Sequence, residues 1–323
     1  MNNPFSTIFN LFLFFHKKKQ YQYAKLYPQL WADRIYKKVF GYNIDWISPR
    51  NLNEKIRWMQ FYTDTSSWSL LADKYKVRKY IQEQGLGNIL IPLYGHWNNA
   101  EDIDFKQLPS SFVLKTNHGC GEVIIIKDKN KVNLQKVRKK ISHYLKTPFG
   151  VLTAEPHYLK IAPCIIAEKL LSDNNDLSSS LIDYKFYCFS GIPQCVLVCY
   201  DRHQLHAQKI VYDMEWKPRP EYTNLSTNSA IKDIPKPKTF EQMKKVCEQL
   251  GAKFPFVRID LYEVNGKLYF GELTFTPAAG MSTALSPNYN KELGDLINSV
   301  SSSTFLKKQY QTPLLLFILC SEI

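Results

Sequence analysis

Apolar residues dominate positions 256–275, with Arg258, Asp260, Glu272 and Thr274 set among them, and Asn265-Gly266 interrupts the run. This pattern predicts two β-strands joined by a tight turn. Arg258, Asp260, Glu272 and Thr274 fall at even offsets, so within each strand they share a face. A two-residue Asn-Gly turn would oppose Val264 to Lys267 and leave Asp260 and Glu272 on opposite faces. A three-residue loop with Gly266 in a left-handed bulge position would oppose Glu263 to Lys267. Arg258 would then lie across from Glu272, with Asp260 diagonal to it on the same face. The second register is expected, because two carboxylates and a guanidinium on one sheet face need a reason to be together. A bound Mg²⁺ is one reason, since hard cations take carboxylate and phosphate oxygens together. A solvated face on which Arg258 bridges two acids is the other.

The rest of the pattern mixes helix and strand. Residues 4–15 are apolar and aromatic and run into His16 and the lysines 17–19. The run is too short to span a bilayer, and its charges follow it rather than precede it, unlike a signal peptide. It suits an interfacial helix on anionic lipid, or an ordinary helix packed on the fold. Residues 20–42 read as helical, and Asn51 or Asn53 caps a short helix over 51–59. The spacing of Leu70, Leu71, Tyr75, Val77, Tyr80 and Ile81 predicts one helix over 69–84, stopped by Gly85 and Gly87. A short strand is expected at 89–94, and an acidic stretch at 101–108 ends at Pro109.

Strands at 111–115 and 122–127 flank a loop, Thr116-Asn117-His118-Gly119-Cys120-Gly121. A hairpin tip of this kind can close over phosphate with backbone N–H groups. It is neither a Walker A loop nor a dinucleotide fingerprint, because Gly-Lys-Ser/Thr and a third glycine are missing. A basic helix over 134–145 and a buried strand over 163–171, carrying Glu168 and Lys169, come next. After a polar loop at 172–180, antiparallel strands are expected at 184–189, 194–200 and 208–212, with turns at Gly191-Ile192-Pro193 and Asp201-Arg202. A polar loop covers 221–237, a helix 240–250 and a short helix 290–300. The tail carries an apolar run at 312–319, either docked or a second membrane contact.

Composition narrows the picture little. A chain of 323 residues holds one large domain or two to three small ones, and 45% hydrophobic content supports a packed core. The net charge of +13 admits nucleic acid, anionic lipid or a phosphorylated substrate. No zinc-finger spacing and no aromatic-basic RNA signature accompanies it, so nucleic acid is not expected. Seven cysteines without a CxxC pair point to a reducing cytoplasm.

Five segments, taken in order, resemble one family: LNEKIRWM, LADKYKVRKYI, FVLKTNHGCGEVIIIKDK, DYKFYCFSG and RIDLYEVNGKLYFGELTFTPAAG. They are similar to the TupA-like ATP-grasp family of teichuronopeptide and surface-polysaccharide biosynthesis, over residues 52–294. The resemblance implies an α+β, ATP-grasp fold in which two α+β lobes hold ATP between them, with an N-terminal α/β region. The boundaries it implies are a helical region with a membrane contact at 1–50, an N-terminal α/β region at 51–110, and a first lobe with the phosphate loop at 111–168. The second lobe, with the Mg-binding hairpin, covers 169–290, and a helix and tail cover 291–323.

The resemblance also implies roles. Lys115 reaches the α- and β-phosphates, and the loop of His118, Gly119 and Gly121 closes over the triphosphate. Glu168, with Lys169 and Leu171, forms the adenine hinge, and Lys185 is a phosphate contact. Asp260 and Glu272 hold Mg²⁺; Thr274 stands where many ATP-grasp enzymes carry asparagine, a departure that bears on a second metal site. Arg258 steadies the transferred phosphoryl group. Arg202, with Asp201 and Asp213 nearby, contacts a substrate carboxylate or forms an interstrand salt bridge. The implied chemistry is ATP-dependent ligation of a carboxylate to an amine through an acyl phosphate, on sugar- or amino-acid-derived and lipid-linked substrates. The implied location is cytoplasmic, peripheral on the inner membrane face. Competing readings are a glycosyltransferase, suggested by Asp102-Ile103-Asp104, a glycan kinase using the same ATP site, and an inactive membrane-docked scaffold.

Overall fold

The computed structural model describes residues 17–172, 177–203, 206–224 and 232–297. The apolar stretch at 4–15, the tail run at 312–319, and parts of the loops at 172–180 and 221–237 lie outside the described residues. Helical periodicity is realised where a stripe can be buried. α1 (Pro28–Phe40), α2 (Leu52–Tyr62), α3 (Ser66–Leu71) and α4 (Val77–Glu83) precede the first strand. Asn51 is the cap of α2: its side chain accepts from Glu54 N at 3.1 Å. The helix expected over 20–42 is interrupted at Tyr27, with Pro28 opening α1.

The single helix expected over 69–84 is two helices. The carboxylate of Asp73 accepts from the backbone N–H groups of Tyr75 at 2.9 Å and Lys76 at 3.1 Å, a local bond that competes with helix continuation. The strand expected at 89–94 begins later, as β1 (Leu93–Trp97). β2 (Phe112–Thr116), β3 (Val123–Ile126), α5 (Leu134–Lys146) and β4 (Ile165–Glu168) complete a four-stranded antiparallel sheet in the order β1-β4-β2-β3. Phe112, Leu114, Ile124, Ile165 and Ala167 pack beneath Val137 and Ile141 of α5.

The second sheet has five antiparallel strands in the order β7-β6-β5-β8-β9. These are β5 (Asp183–Phe189), β6 (Ile192–His203), β7 (His206–Tyr212), β8 (Val257–Val264) and β9 (Lys267–Thr274). The turn expected at Gly191-Ile192-Pro193 sits at Ser190-Gly191, and Pro193 lies within β6 beside a register shift that spares it a ladder bond. Asp201-Arg202 is not a turn. β6 runs through it, and Asp201, with φ of 46°, marks an irregularity in the pairing with β7. α6 (Phe240–Gly251) covers this sheet, packing Phe240, Met243, Cys247 and Leu250 into one cluster with Phe186, Val196 and Ile259. α7 (Pro287–Asp295) adds Tyr289 and Leu293 to that core, which also takes Leu52, Ile56 and Met59 of α2. Each side chain of this size, fully buried, contributes about 1.5–3 kcal/mol. The architecture is α+β. No helix among the described residues is long and apolar enough to cross a membrane.

Candidate nucleotide and metal site

The β8–β9 hairpin does not use the expected three-residue loop. Asn265 and Gly266 have φ of 52° and 69°, and Val264 opposes Lys267. Two left-handed residues make the two-residue turn that Asn-Gly favours. Alone, that register separates Asp260 from Glu272. A bulge restores the parity: Leu261 opposes Phe270 and Asp260 opposes Glu272, so Gly271 is the extra residue. A Cβ there would lie 2.8 Å from the Asp260 carbonyl oxygen and 2.9 Å from the Tyr262 ring. The cue in the sequence was a glycine inside a strand.

The two acids therefore share a face, directly opposite one another, and Arg258 opposes Thr274 rather than Glu272. Arg258 Nε donates to Asp260 Oδ1 at 2.6 Å, and Nη2 to Asp260 Oδ2 at 2.8 Å, Glu272 Oε1 at 3.1 Å and Thr274 Oγ1 at 3.1 Å. Thr274 Oγ1 donates to Glu272 Oε1 at 2.9 Å. Lys185, opposite Asp260 on β5, forms an ion pair with it, and its Nζ lies 3.7 Å from Asp183. Burial works against the charge on Lys185, but Asp260 outweighs it and the pKa is raised. Burial likewise opposes ionisation of Glu272, yet Lys74, Arg258 and Lys185 hold its carboxyl down at about 2.

Lys74 joins the two sheets. The break at Asp73 aims its Nζ at the Gly119 carbonyl, 2.6 Å away, and 3.7 Å from Glu272 Oε2. Four residues on, Arg78 Nη1 reaches Glu168 Oε1 at 3.2 Å, while its Nη2 donates to the Ile91 carbonyl at 2.9 Å. Sequence reasoning missed both cations. The signal is their i, i+4 spacing in LADKYKVRKYI, a segment that carries the family resemblance but to which no site role is assigned from sequence.

In the smaller sheet Lys115 and Glu168 are diagonal neighbours on one face, because Lys115 opposes Ile166 and Val113 opposes Glu168. Lys115 Nζ lies 2.6 Å from Glu168 Oε2. The loop after β2 is tied at its base: Thr116 Oγ1 donates to Glu122 Oε2 at 2.5 Å, and Asn117 Oδ1 accepts from Cys164 N at 2.7 Å. The buried His118 turns its Nε2 to the Thr147 carbonyl at 3.2 Å, bracing the loop on the end of α5. Gly119 presents its carbonyl to Lys74, and Gly121 has φ of 79°. Lys169 N donates to the Pro92 carbonyl at 2.9 Å with its side chain exposed. Leu171 packs beside Ile91, Val264 and Tyr269, where the chain crosses from one sheet to the other.

The three substrate candidates are not gathered there. Arg202 forms a half-exposed interstrand ion pair with Asp183, and Asp201 Oδ1 accepts from Ser179 N at 2.7 Å. Asp213 closes a turn beyond β7, accepting from Glu215 N at 3.1 Å and Lys217 N at 2.8 Å. Asp102 and Asp104 are exposed, on a short 3₁₀ turn and the loop after it. Two surface hollows, lined by Tyr212, Trp216 and Pro235 and by Asn43, Trp46 and Arg50, contain none of the candidate residues.

At the hairpin Arg258, Lys185 and Lys74, with Arg202 behind them, face Asp260, Glu272 and Asp183, leaving one positive charge over, suited to phosphate. Asp260, Glu272 and Thr274 offer hard oxygen donors. Among the described residues no group of three or more His, Cys, Asp and Glu side chains makes a metal cage. The donor set fits Mg²⁺ that completes its shell from phosphate oxygens and water.

The family model described as TupA-like ATPgrasp matches residues 54–298. None of the curated proteins matches the chain. Among solved structures, the D-alanine–D-alanine ligase of Bacillus anthracis complexed with ATP is 16% identical, over 78% of this chain and 70% of that one, with a TM-score of 0.43. The L-amino acid ligase of Bacillus licheniformis is 11% identical, over 76% of this chain and 55% of that one, with a TM-score of 0.44.

Proposed function

The chain belongs to the TupA-like ATP-grasp family of ATP-dependent ligases, and from that premise we propose that it joins a carboxylate to an amine in cell-surface polysaccharide assembly, through an acyl phosphate. The observation that carries the reading is the single-faced cluster of Arg258, Asp260, Glu272 and Thr274, with Lys185 opposite and Lys74 bridging to the glycine loop. We assign residues 111–168 to the first lobe and 169–290 to the second, with the nucleotide between them.

Lys115 and Lys185 hold phosphate oxygens, the Gly119 to Gly121 loop covers them, and Glu168, Lys169 and Leu171 meet the adenine. Asp260 and Glu272 hold Mg²⁺, which when bound neutralises charge on the β- and γ-phosphates. Arg258 stabilises charge on the phosphoryl group in flight. A substrate carboxylate oxygen attacks the γ-phosphorus; a new O–P bond forms, the bridging P–O bond breaks, and ADP leaves. The amine nitrogen then attacks the acyl carbon, loses a proton and expels inorganic phosphate. No protein nucleophile is required, only positioning and charge neutralisation. Exposed Leu26, Tyr27 and Leu30 beside Lys25 and Arg34 support peripheral docking on an anionic membrane face.

Calorimetry on the full chain with Mg·ATP and with a UDP-sugar tests the reading. Mg·ATP is expected to bind, and to bind more weakly without Mg²⁺. Binding of the UDP-sugar alone overturns the ligase in favour of a glycosyltransferase. ADP with a phosphosugar as product would mean a glycan kinase at the same site.

A further inference from the structure

The break between α3 and α4 brings two cations to the site, and they are used differently. Arg78 is committed to Glu168 and to the Ile91 carbonyl. Lys74 is attached to the glycine loop instead. Its backbone N–H donates to the Asn117 carbonyl at 3.1 Å, at the base of the loop, and its Nζ donates to the Gly119 carbonyl at 2.6 Å, near the tip. One residue grips the loop at both ends.

The two ends differ in how much they need it. The base is tied elsewhere: Asn117 N donates to the Cys164 carbonyl at 3.0 Å, Asn117 Nδ2 donates to the Ala162 carbonyl at 3.0 Å, and Asn117 Oδ1 accepts from Cys164 N at 2.7 Å. The tip has less. Gly121 is left-handed, with open space where a Cβ would stand. Among the described residues, no side chain other than Lys74 hydrogen-bonds residues 119–121.

Lys74 also faces the metal hairpin. Glu272 Oε1 accepts from Arg258 at 3.1 Å and from Thr274 at 2.9 Å. Glu272 Oε2 hydrogen-bonds none of the described residues, and Lys74 Nζ stands 3.7 Å from it. That separation is too long for a direct hydrogen bond. It suits two groups that share a third. An ammonium carries three N–H groups, and Gly119 takes one. The other two have no hydrogen-bond partner among the described residues, although the side chain is only 15% exposed. Lys115 and Lys185, by contrast, each lie in direct contact with a carboxylate. An anionic oxygen that enters between the loop and Glu272 meets two ready donors, and the bond to Gly119 stays intact.

We propose that Lys74 Nζ donates to the terminal phosphate of ATP and, through the Gly119 carbonyl, fixes the glycine loop over it. This assignment rests on the ligase reading above, in which the loop covers the triphosphate and Glu272 holds its metal. It adds to the phosphate site a residue from outside both sheets. Loop position and phosphate charge then act through one ammonium.

Calorimetry on the full chain compares Mg·ATP with Mg·ADP, for the unaltered protein and for Lys74→Met, which keeps the aliphatic stem and removes the ammonium. No binding of Mg·ATP by the unaltered protein overturns the nucleotide reading and this proposal together. Lys74→Met is expected to weaken Mg·ATP by about tenfold or more and Mg·ADP by less than about threefold, because only ATP carries the phosphate that Nζ meets. Hydrogen exchange on the nucleotide-free protein reads the loop. The amides of residues 118–122 should exchange about tenfold faster in Lys74→Met, with the strands of both sheets unchanged. An unchanged Mg·ATP affinity, or unchanged exchange at 118–122, overturns the proposal and leaves the nucleotide site standing. Equal losses of Mg·ATP and Mg·ADP, repeated in the milder Lys74→Gln, would mean that the residue only supports the fold, and also overturn it. A loss confined to Mg·ATP in Lys74→Gln supports it.

Discussion

The two sheets use one device twice. In each, a carboxylate on an inner strand is shared between a lysine and an arginine: Glu168 by Lys115 and Arg78, Asp260 by Lys185 and Arg258. They differ in where the arginine comes from and in what lies beyond it. Arg78 arrives from a helix outside the sheet, and the cluster ends there. Arg258 comes from the same strand as its acid, two residues away, and leads on to Glu272 and Thr274. One cluster is a pin between a helix and a sheet. The other, on our reading, is the bed for Mg²⁺ and phosphates.

Removing each carboxylate's charge separates the two uses. Asp260→Asn leaves Arg258 and Lys185 buried without their shared partner. A loss of about 3–5 kcal/mol in denaturant unfolding is expected, together with loss of the Mg²⁺-dependent part of ATP binding. Glu168→Gln leaves Lys115 and Arg78 without their shared charge, but Arg78 keeps the Ile91 carbonyl, so about 1–3 kcal/mol is expected. ATP binding weakens but keeps its Mg²⁺ dependence. Equal Mg²⁺ responses in calorimetry would break the comparison.

The second sheet's cluster depends on one extra residue, and that makes it breakable without touching a charge. Gly271→Ala forces a methyl between the Asp260 carbonyl and the Tyr262 ring. The hairpin should lose about 1–3 kcal/mol by overpacking, and Mg²⁺-dependent ATP binding should fall with it. Retention of full Mg²⁺ dependence in this variant would show that the bulge does not set the geometry of the acids.

That bulge also explains what the sequence could and could not tell. The strands β8 and β9, the helices α5 and α6, and the glycine loop were legible because their signals are local: a period of two, a period of 3.6, a glycine cluster. The gathering of Asp260, Glu272 and Arg258 on one face was expected correctly, but by the wrong route. A turn and a bulge each shift the pairing, and only their combination fixes the face. Lys74 and Arg78 were invisible for a related reason. Their function depends on a helix break made by the buried Asp73, whose burial is a tertiary fact.

Acid separates the hairpin from the irregular segment at 147–161, between α5 and β4. Burial, then Arg57 and Lys160, push the His157 pKa down to about 3. In the unfolded chain it is about 6.5, so below that pH the unfolded chain takes a proton that the folded one refuses. Stability from His157 is present above pH 6.5 and is lost as pH falls toward 3. Glu272, held at about 2 in the fold against about 4.3 unfolded, contributes above pH 4.3 and loses it as pH falls toward 2. His157→Gln should flatten the upper window of a urea-midpoint titration, and Glu272→Gln the lower. If His157→Gln flattened the fall below about pH 3, or Glu272→Gln the fall above about pH 4.3, the two regions would not titrate separately.

The smallest effect belongs to Arg202. Its side chain is 49% exposed and its partner is Asp183, which also faces Lys185 at 3.7 Å. A half-exposed pair of this kind is worth about 0–1 kcal/mol, and Lys185 keeps Asp260 when Arg202 is gone. Arg202→Ala should therefore shift Mg·ATP affinity by less than about threefold. The informative quantity is the KM for a carboxylate probe. If it stays put with Arg202→Ala, the interstrand ion pair is all that Arg202 supplies. If Arg202→Ala raises it instead, the substrate approaches from the β5–β6 side, and Arg202 leaves Asp183 to meet it.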